Sequence, residues 1–311
     1  MTYHVCNISC KKFGKFGKKK IQRYRCNQCG KTFSEPQQKP LDEMRVNLEK
    51  ALQVLTLLVE GCGIRVVQRV TGLHQQTVLA LLEKAGERAA RLLDSRIRNV
   101  TVSQVQVDEV WSFVHCKQKN AGADDREIGD QYTFIALDRN SKLVLSYVVG
   151  KRSATNASRL MDDLVTRIAN RIQLTTDGFK PYVDAVEWAF GADIDFAQLI
   201  KLYAHDEENR ERYSPSACTG AIPVKITGNP DLGMICASHV ERNNLTLRTF
   251  LRPLTRLSLG FSKKLDNLKH AVALHFAYYN FCRIHKTLRV TPAMEAGLTD
   301  HVWSLTELIL A

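Results

Sequence analysis

Three acidic residues have the types and surroundings of divalent-metal ligands: Asp108, Asp177 and Glu241. Asp108 lies in the apolar stretch VQVDEVWSFV, where an unpaired buried carboxylate is costly and therefore needs a partner. Asp177 follows IQLTT, at the end of a second expected strand, and Glu241 lies in the first turn of an expected helix. Carboxylate oxygens are the ligands that Mg²⁺ prefers. Two such ions, about 4 Å apart, can activate an attacking oxygen and stabilise a leaving one in phosphodiester chemistry.

Each of these acids also has a purely structural explanation. Asp108, or its neighbour Glu109, could be a satisfied acid at a strand edge, and Asp177 precedes a glycine as in many turns. Ser238 and Glu241 have the Ser-x-x-Glu spacing of a helix capping box. The joint placement of three acids on two strands and a helix favours the metal-binding interpretation over three separate structural ones.

Two pairs of cysteines near the start of the chain have the spacing of zinc ligands. Cys6 and Cys10 are separated by three residues, and Cys26 and Cys29 by two, with a glycine after the second pair. Thiolates favour zinc and can close a tetrahedral structural site, so the pattern predicts one Zn²⁺. His4 could replace one thiol. The alternative is a set of unpaired thiols on a flexible arm.

The positive charge of the chain is concentrated in the same region. The 311 residues contain 44 Lys and Arg against 32 Asp and Glu, a net charge of +12, of which +8 falls in residues 1–35. Such a basic segment favours a polyanionic partner, nucleic acid first, although a solvated tail is an alternative. It lacks the apolar helical face of a membrane-surface segment. The predicted DNA contacts here are Lys18, Lys19, Lys20, Arg23 and Arg25.

The secondary-structure elements that would position these residues are of two kinds. The first part of the chain after the cysteines is predicted to be helical. Apolar residues recur at spacings of three and four from residue 41 to about 93. A short helix over 64–70, a break at a glycine and a second helix from about residue 74 match a helix-turn-helix, although many helical hairpins look the same. If these helices form a DNA-binding helix-turn-helix, the residues nearest the base edges are His74, Gln75, Gln76 and Thr77.

From about residue 100 the hydrophobic period changes from helical to extended. The predicted order is strand, strand, strand, helix, strand, helix, strand, a mixed α/β domain. The predicted ranges are 102–108, 132–138, 143–149, 153–171, 172–176, 182–190 and 196–203. Residues 205–237 are predicted to be loop-rich, a helix to begin at Ser238, and the last long helix to span about 263–283.

Several of these segments resemble one known family. The stretches QVDEVWSFV, TTDGFKPY, SHVERNNLTLRTFLRPLTR and YYNFCRIHKTLRVTPAMEAGL resemble DDE transposases of bacterial insertion sequences of the IS-one type. The front end, QRYRCNQCGKTF before a helix-turn-helix, resembles the same family, although the first cysteine pair is spaced by three residues instead of two. The resemblance implies an RNase H-like catalytic domain in which Asp108, Asp177 and Glu241 bind two Mg²⁺ ions, with Mn²⁺ as a possible substitute.

The predicted organisation is a zinc-binding basic module (1–40), an all-α helix-turn-helix domain (41–98), an α/β RNase H-like domain with a mixed sheet (99–262) and a helical tail (263–311). The predicted function is a transposase that binds terminal inverted repeats and catalyses cleavage and strand transfer. The predicted partners are double-stranded DNA, as element ends and target, and further copies of the chain. Further predicted DNA contacts are Arg242, Arg248 and Arg252, placed on one helix with Glu241, and Lys180, Arg283, His285 and Lys286.

Two other functions are compatible with these patterns. A non-enzymatic zinc and helix-turn-helix regulator would use only about the first 95 residues and leave the three acids unexplained. An RNase H-like nuclease without strand transfer would use the same acids. The chain has no run of 18 apolar residues and no apolar N-terminal segment, so we expect no membrane span and a location in the bacterial cytoplasm, at the nucleoid.

Overall fold

The computed structural model of the chain describes residues 6–17, 20–34, 44, 46–122, 125–203 and 218–311. The chain divides into two compact units, 1–45 and 46–311. Lys18, Lys19, His4 and residues 205–217 of the loop predicted for 205–237 lie outside the described residues, as does the stretch 35–43.

The first unit is a small antiparallel sheet. Its strands are β1 (Cys10–Phe16), β2 (Ile21–Cys26) and β3 (Thr32–Ser34), in the order β1-β2-β3. Most of its side chains are exposed, and Cys26 is its one described buried residue. A sheet with so little buried apolar surface needs another source of stability, and a bound metal is a common one in small domains.

The second unit begins with three helices, α1 (Leu48–Val59), α2 (Ile64–Thr71) and α3 (Gln75–Arg96). The Asn47 side chain accepts a hydrogen bond from the N–H of Lys50, so α1 begins at Leu48 and not near residue 41 as predicted. Gly72 has a φ of +71° and ends α2, which produces the predicted turn before α3.

A six-stranded mixed sheet follows. Its strands are β4 (Gln104–Val114), β5 (Gly129–Asp138), β6 (Val144–Gly150), β7 (Gln173–Asp177), β8 (Asp195–Tyr203) and β9 (Cys218–Thr227). The order is β6-β5-β4-β7-β8-β9; β4 to β6 are antiparallel, and β7 and β8 run parallel to β4. Helices α4 (Ala154–Val165) and α5 (Pro181–Phe190) connect β6 to β7 and β7 to β8. This mixed α/β arrangement is consistent with an RNase H-like domain.

The structure corrects three predicted boundaries in this region. Strand β4 continues to Val114, beyond the predicted end at residue 108, because β5 pairs with it along its whole length. Helix α4 ends at Val165 instead of near residue 171. The loop predicted for 205–237 is wrong over Cys218–Thr227, which forms β9 antiparallel to β8.

Four helices complete the unit: α6 (Ser238–Phe250), α7 (Leu265–Phe281), α8 (Pro292–Glu295) and α9 (Leu305–Leu310). Helix α3 packs along α7 so closely that a Cβ added at Gly86 would lie 2.5 Å from the Cβ of His270. From residue 46 onward, the domains predicted for 41–98, 99–262 and 263–311 therefore lie in one compact unit. A functional division among them stays a prediction.

Of the helices in the described parts of the chain, none is both long enough and apolar enough to span a lipid bilayer.

Candidate functional site

Two neighbouring strands bring three carboxylates together. Strand β4 carries Asp108 and Glu109 near its middle, and Asp177 is the last residue of β7. In the parallel register Gln106 lies opposite Thr175, so the acids that follow these two residues lie side by side on the sheet. Carboxylate oxygens of Asp108, Glu109 and Asp177 lie within 4.8 Å of one another.

Burial makes the charged forms of two of these acids unfavourable. Burial raises the pKa of Asp108 to about 6, although the N–H of Glu109 donates to its Oδ1 at 2.9 Å and acts in the opposite direction. Burial, followed by the charge of Asp177, raises the pKa of Glu109 to about 7. Carboxylates that are crowded and desolvated in this way need a cation, and such shifts are typical of functional sites.

The guanidinium of Arg152 partly supplies that positive charge. It lies 3.4 Å from Oε2 of Glu109 and 3.2 Å from Oδ2 of Asp177, and it stacks on the ring of Phe179 at 4.1 Å. The other oxygen of Glu109, Oε1, is buried. Tyr182 lies behind Glu109, and burial followed by the Glu109 charge raises its pKa well above the ordinary value.

Helix α6 is attached to β4 beside these acids. Oε1 of Gln106 accepts hydrogen bonds from the N–H groups of His239 and Val240, each at 3.1 Å, in the first turn of the helix. One turn further along, Nδ2 of Asn244 donates to Oδ2 of Asp108 at 2.8 Å. A polar residue at the centre of a strand thus holds the helix N-terminus, and the helix in turn orients a site carboxylate.

Glu241 faces this site but is not in contact with the other three acids. Its Oε1 lies 2.5 Å from Nζ of Lys201 on β8, and its side chain is 45% exposed. Its charge contributes to the raised pKa of Asp108. Burial lowers the pKa of Lys201, but the hydrogen bond to Glu241 and the charge of Asp108 outweigh burial and raise it.

The capping-box explanation of Glu241 is wrong. The N-cap of α6 is Ala237, which has no capping side chain, and Ser238 is already inside the helix. The N–H of Glu241 donates to the carbonyl oxygen of Ala237 at 3.0 Å, and the Ser238 hydroxyl is directed to Cys236 at 3.8 Å. No capping role therefore accounts for a glutamate at this position.

The carboxylate cluster fits hard divalent cations. It offers several oxygen ligands, one of them buried, in a setting that disfavours uncompensated negative charge. Glu109 belongs to this cluster, although the sequence analysis gave it only a structural role. The signal that could have found it is the acid pair inside the apolar run QVDEVW, since two adjacent acids cannot both be ordinary strand-edge residues.

Three cysteines of the first unit also converge. The sulfur atoms of Cys6, Cys26 and Cys29 lie within 4.8 Å of one another. Cys10, the cross-strand neighbour of Cys26, is not one of these three; burial, followed by the charge of Cys26, raises its pKa. Hydrogen bonds from the backbone, that of Cys29 first, lower the pKa of Cys26 to about 7. Gly30 closes the turn with a φ of +69° and an N–H bond to the Cys26 carbonyl at 3.1 Å. Thiol convergence around such a turn fits Zn²⁺.

The predicted base-reading residues lie at the start of α3. His74 is its N-cap, and Nδ1 accepts a hydrogen bond from the N–H of Gln76 at 3.3 Å. His74, Gln75 and Gln76 are exposed, whereas Thr77 is half-buried. Three of the four side chains are therefore accessible to a partner, and their contact with DNA stays a prediction.

The predicted arginine row is only partly on one helix. Arg242 is exposed on α6, and Arg248 is half-buried there, with a buried Nε that has no described partner. Arg252 is not on α6, because the helix ends at Phe250 and a 3₁₀ turn with Pro253 follows.

The other predicted DNA contacts differ in how accessible they are. Lys20, Lys180 and Lys286 are exposed. In the first unit, the guanidinium of Arg23 lies 5.7 Å above the ring of Phe16, and that of Arg25 lies 5.7 Å above Phe13. Arg283 stacks on Phe250 at 3.6 Å and has a buried Nη1, so packing occupies most of it.

Basic residues also gather around His285, which lies 2.9 Å from the Thr287 hydroxyl. Burial lowers the pKa of His285, and so do the charges of Lys142, Arg242 and Arg283. Burial and the charges of Lys142 and Arg139 likewise lower the pKa of His239. The sequence analysis did not identify Arg139, Lys142 or His239, because the fold assembles this basic patch from segments far apart in the chain.

No known protein family matches the chain by sequence, and no curated protein does. Among solved structures, the chain is similar to a piggyBac transposase in a synaptic complex with hairpin DNA, determined by cryo-electron microscopy. The similarity covers 85% of this chain and 70% of that one, with 10% sequence identity and a TM-score of 0.37. This is a remote likeness, and the functional interpretation depends on the site's own geometry.

Proposed function

We propose that this protein is a DNA transposase of the DDE type, which cuts at the ends of an insertion sequence and joins them to target DNA. The observation that carries the proposal is the convergence of Asp108, Glu109 and Asp177, with Glu241 on the adjoining helix. Oxygen-rich clusters of this kind support two-metal phosphodiester chemistry, and the basic groups around His285 suit a polyanionic substrate.

Within this proposal Asp108, Asp177 and Glu241 hold Mg²⁺, and Glu109 is a further ligand. The bound cations supply activation of the attacking oxygen and charge stabilisation at the leaving one. Asn244 fixes the orientation of Asp108 through its hydrogen bond. Arg152 and Lys201 neutralise the acids before the cations bind, since each is paired with site carboxylates.

The rest of the chain serves recognition in this proposal. The first unit, with a structural Zn²⁺ on Cys6, Cys10, Cys26 and Cys29, and the exposed start of α3 would bind the terminal inverted repeats. Water and then the freed 3′-hydroxyl act as successive nucleophiles, so the reaction needs no covalent protein intermediate. Several copies of the chain would assemble on the DNA in the bacterial nucleoid.

The test is a cleavage and strand-transfer assay on DNA that carries the source element's own ends, with Mg²⁺ or with EDTA. We expect cleavage that depends on Mg²⁺ and is lost in Asp108→Asn and Asp177→Asn. Asp184→Asn is the matched control, because Asp184 is an exposed acid on α5 outside the carboxylate cluster. Binding without any cleavage would favour the non-enzymatic regulator, and cleavage without joining would favour the nuclease.

A further inference from the structure

Two leucines after α6 are almost fully exposed. Leu257 is 86% exposed and Leu259 is 94% exposed, and both lie in the segment 255–260, which we name the leucine loop. Burying a leucine side chain is worth about 2 kcal/mol, so two that are displayed together call for a partner.

Side-chain hydrogen bonds and packing hold the leucine loop in place. The Thr255 hydroxyl donates to the Arg248 carbonyl and the Ser258 hydroxyl to the Thr255 carbonyl, each at 3.0 Å. The Arg252 side chain lies across Gly260, where an added Cβ would be 2.7 Å from its Nε. Leu254 is buried immediately before the loop. The fold therefore holds both leucines outward.

The backbone of the loop adopts an unfavourable conformation to do so. Leu257 has a φ of +53°, in the left-handed region that bulky residues rarely occupy. Among the described residues other than glycine with positive φ, it is the one apolar member. Strain of this kind is typically retained at functional sites.

The charge around the loop indicates what the leucines meet. Residues 242–265 contain six basic side chains and no acidic one: Arg242, Arg248, Arg252, Arg256, Lys263 and Lys264. The positive charge of this segment is complementary to a phosphate backbone. It would not attract a protein surface that has few acidic residues.

The loop is also connected to the carboxylate site. It follows α6, the helix that carries Glu241 and Asn244. Arg248 of α6 is linked to the loop, because its carbonyl accepts a hydrogen bond from the Thr255 hydroxyl at 3.0 Å, and the charge of Asp108 also acts on its side chain. DNA bound at the acids can therefore extend along α6 towards the leucine loop.

We propose that Leu257 and Leu259 are a wedge that enters duplex DNA and unstacks neighbouring base pairs beside the cleavage site. The inference rests on the proposed function, because it takes the DNA of the same site as the ligand. Apolar side chains that wedge between base steps unstack and kink the duplex, while basic neighbours hold its phosphates. The leucines would thus expose the scissile phosphate to the carboxylates.

The test uses the full chain and a duplex of the element end and its flank, with 2-aminopurine placed in turn at each position near the junction. The background variant Asp108→Asn keeps the DNA uncut. We expect binding to raise the fluorescence at one or two adjacent positions. In the Leu257→Ala/Leu259→Ala variant we expect that rise to vanish and affinity to fall about tenfold, with an unchanged salt slope, because unstacking is an apolar contribution.

Two controls keep the result specific. Trp188→Ala removes another side chain that is 86% exposed, on α5, and should keep both the fluorescence rise and the affinity. Leu257→Lys adds charge at the loop and should lose the rise without weakening phosphate binding.

A double leucine variant that unstacks and binds DNA like its parent overturns the inference. So does a DNA-free dimer that the leucine substitutions convert to a monomer while unstacking persists, since the partner is then a second copy of the chain. Leucine-dependent unstacking, combined with no Mg²⁺-dependent cleavage by the chain that retains Asp108, would refute the proposed function and leave the wedge standing. Cleavage by the chain without leucine-dependent unstacking would support the proposed function and refute the wedge.

Discussion

Asp108 is held where its own charge is unfavourable. Its pKa is raised from 3.8 to about 6, so between these values the folded protein keeps a proton that the unfolded chain has released. Stability therefore falls as pH rises through this window, and above it the loss is complete. A residue that destabilises the fold and is nevertheless present is more easily explained by function than by structure.

Asp108→Asn should accordingly stabilise the metal-free protein while it abolishes cleavage. At pH 8 in EDTA we expect a gain in unfolding free energy of up to about 3 kcal/mol, because the buried charge is removed. The gain should shrink below about pH 6 and vanish below about pH 3, where wild-type Asp108 is protonated in both states. Urea denaturation at the two pH values measures it, and a variant that is less stable at pH 8 would contradict the burial argument.

Glu241 and Glu109 compete for the role of third acid. Glu241→Gln should leave the melting temperature and DNA-end binding near wild type, because a half-exposed ion pair contributes little stability. Cleavage and strand transfer should fall by orders of magnitude, because a neutral amide is a poor Mg²⁺ ligand. The same assays on Glu109→Gln provide the comparison. Full activity in Glu241→Gln combined with an inactive Glu109→Gln would assign the third ligand to Glu109.

At the scale of elements, α7 carries an acid-sensitive group in its buried face. His275 is almost fully buried, both its ring nitrogens lack a described partner, and burial lowers its pKa to about 3. In the unfolded chain this histidine binds a proton below about pH 6.5, whereas in the fold it stays neutral. The free energy of unfolding is therefore unaffected above that pH and falls below it by about 1.4 kcal/mol per pH unit.

His275→Leu should therefore flatten the pH dependence of stability between pH 6.5 and pH 4. The measurement is the difference in unfolding free energy between variant and wild type at several pH values. His115→Asn is the control for a surface histidine, because His115 is exposed and asparagine tolerates its positive φ. An equal slope in His275→Leu and wild type would show that the histidine is not neutral in the fold.

The elements also show how far sequence alone reaches. The period of apolar residues predicts β4 and β7, and parallel strands place Asp108 and Asp177 together. The sequence does not predict strand β9, because its apolar residues alternate only weakly and its formation depends on pairing with β8. Arg152, Lys201 and Asn244 escape for a similar reason, since each reaches the acids from a segment whose position only the tertiary fold defines.

For the whole molecule, the uneven charge predicts strongly salt-dependent binding. Residues 1–35 contribute +8 of the net +12, and each phosphate contact adds about 0.9 to the slope of log affinity against log salt. Deletion of residues 1–35 should flatten this slope and weaken recognition of the element end. Titrations at several NaCl concentrations measure both, and an unchanged slope would show that the basic segment is away from the DNA.

Arg152 gives the site a further property. Its guanidinium pairs with the carboxylates of Glu109 and Asp177, so a divalent cation held by those carboxylates would compete with it. The released positive charge then becomes available to a DNA phosphate. Cation and DNA should each raise the affinity for the other by the same factor, because such coupling is reciprocal. Arg152 would thus couple the binding of cations at the acids to the binding of DNA.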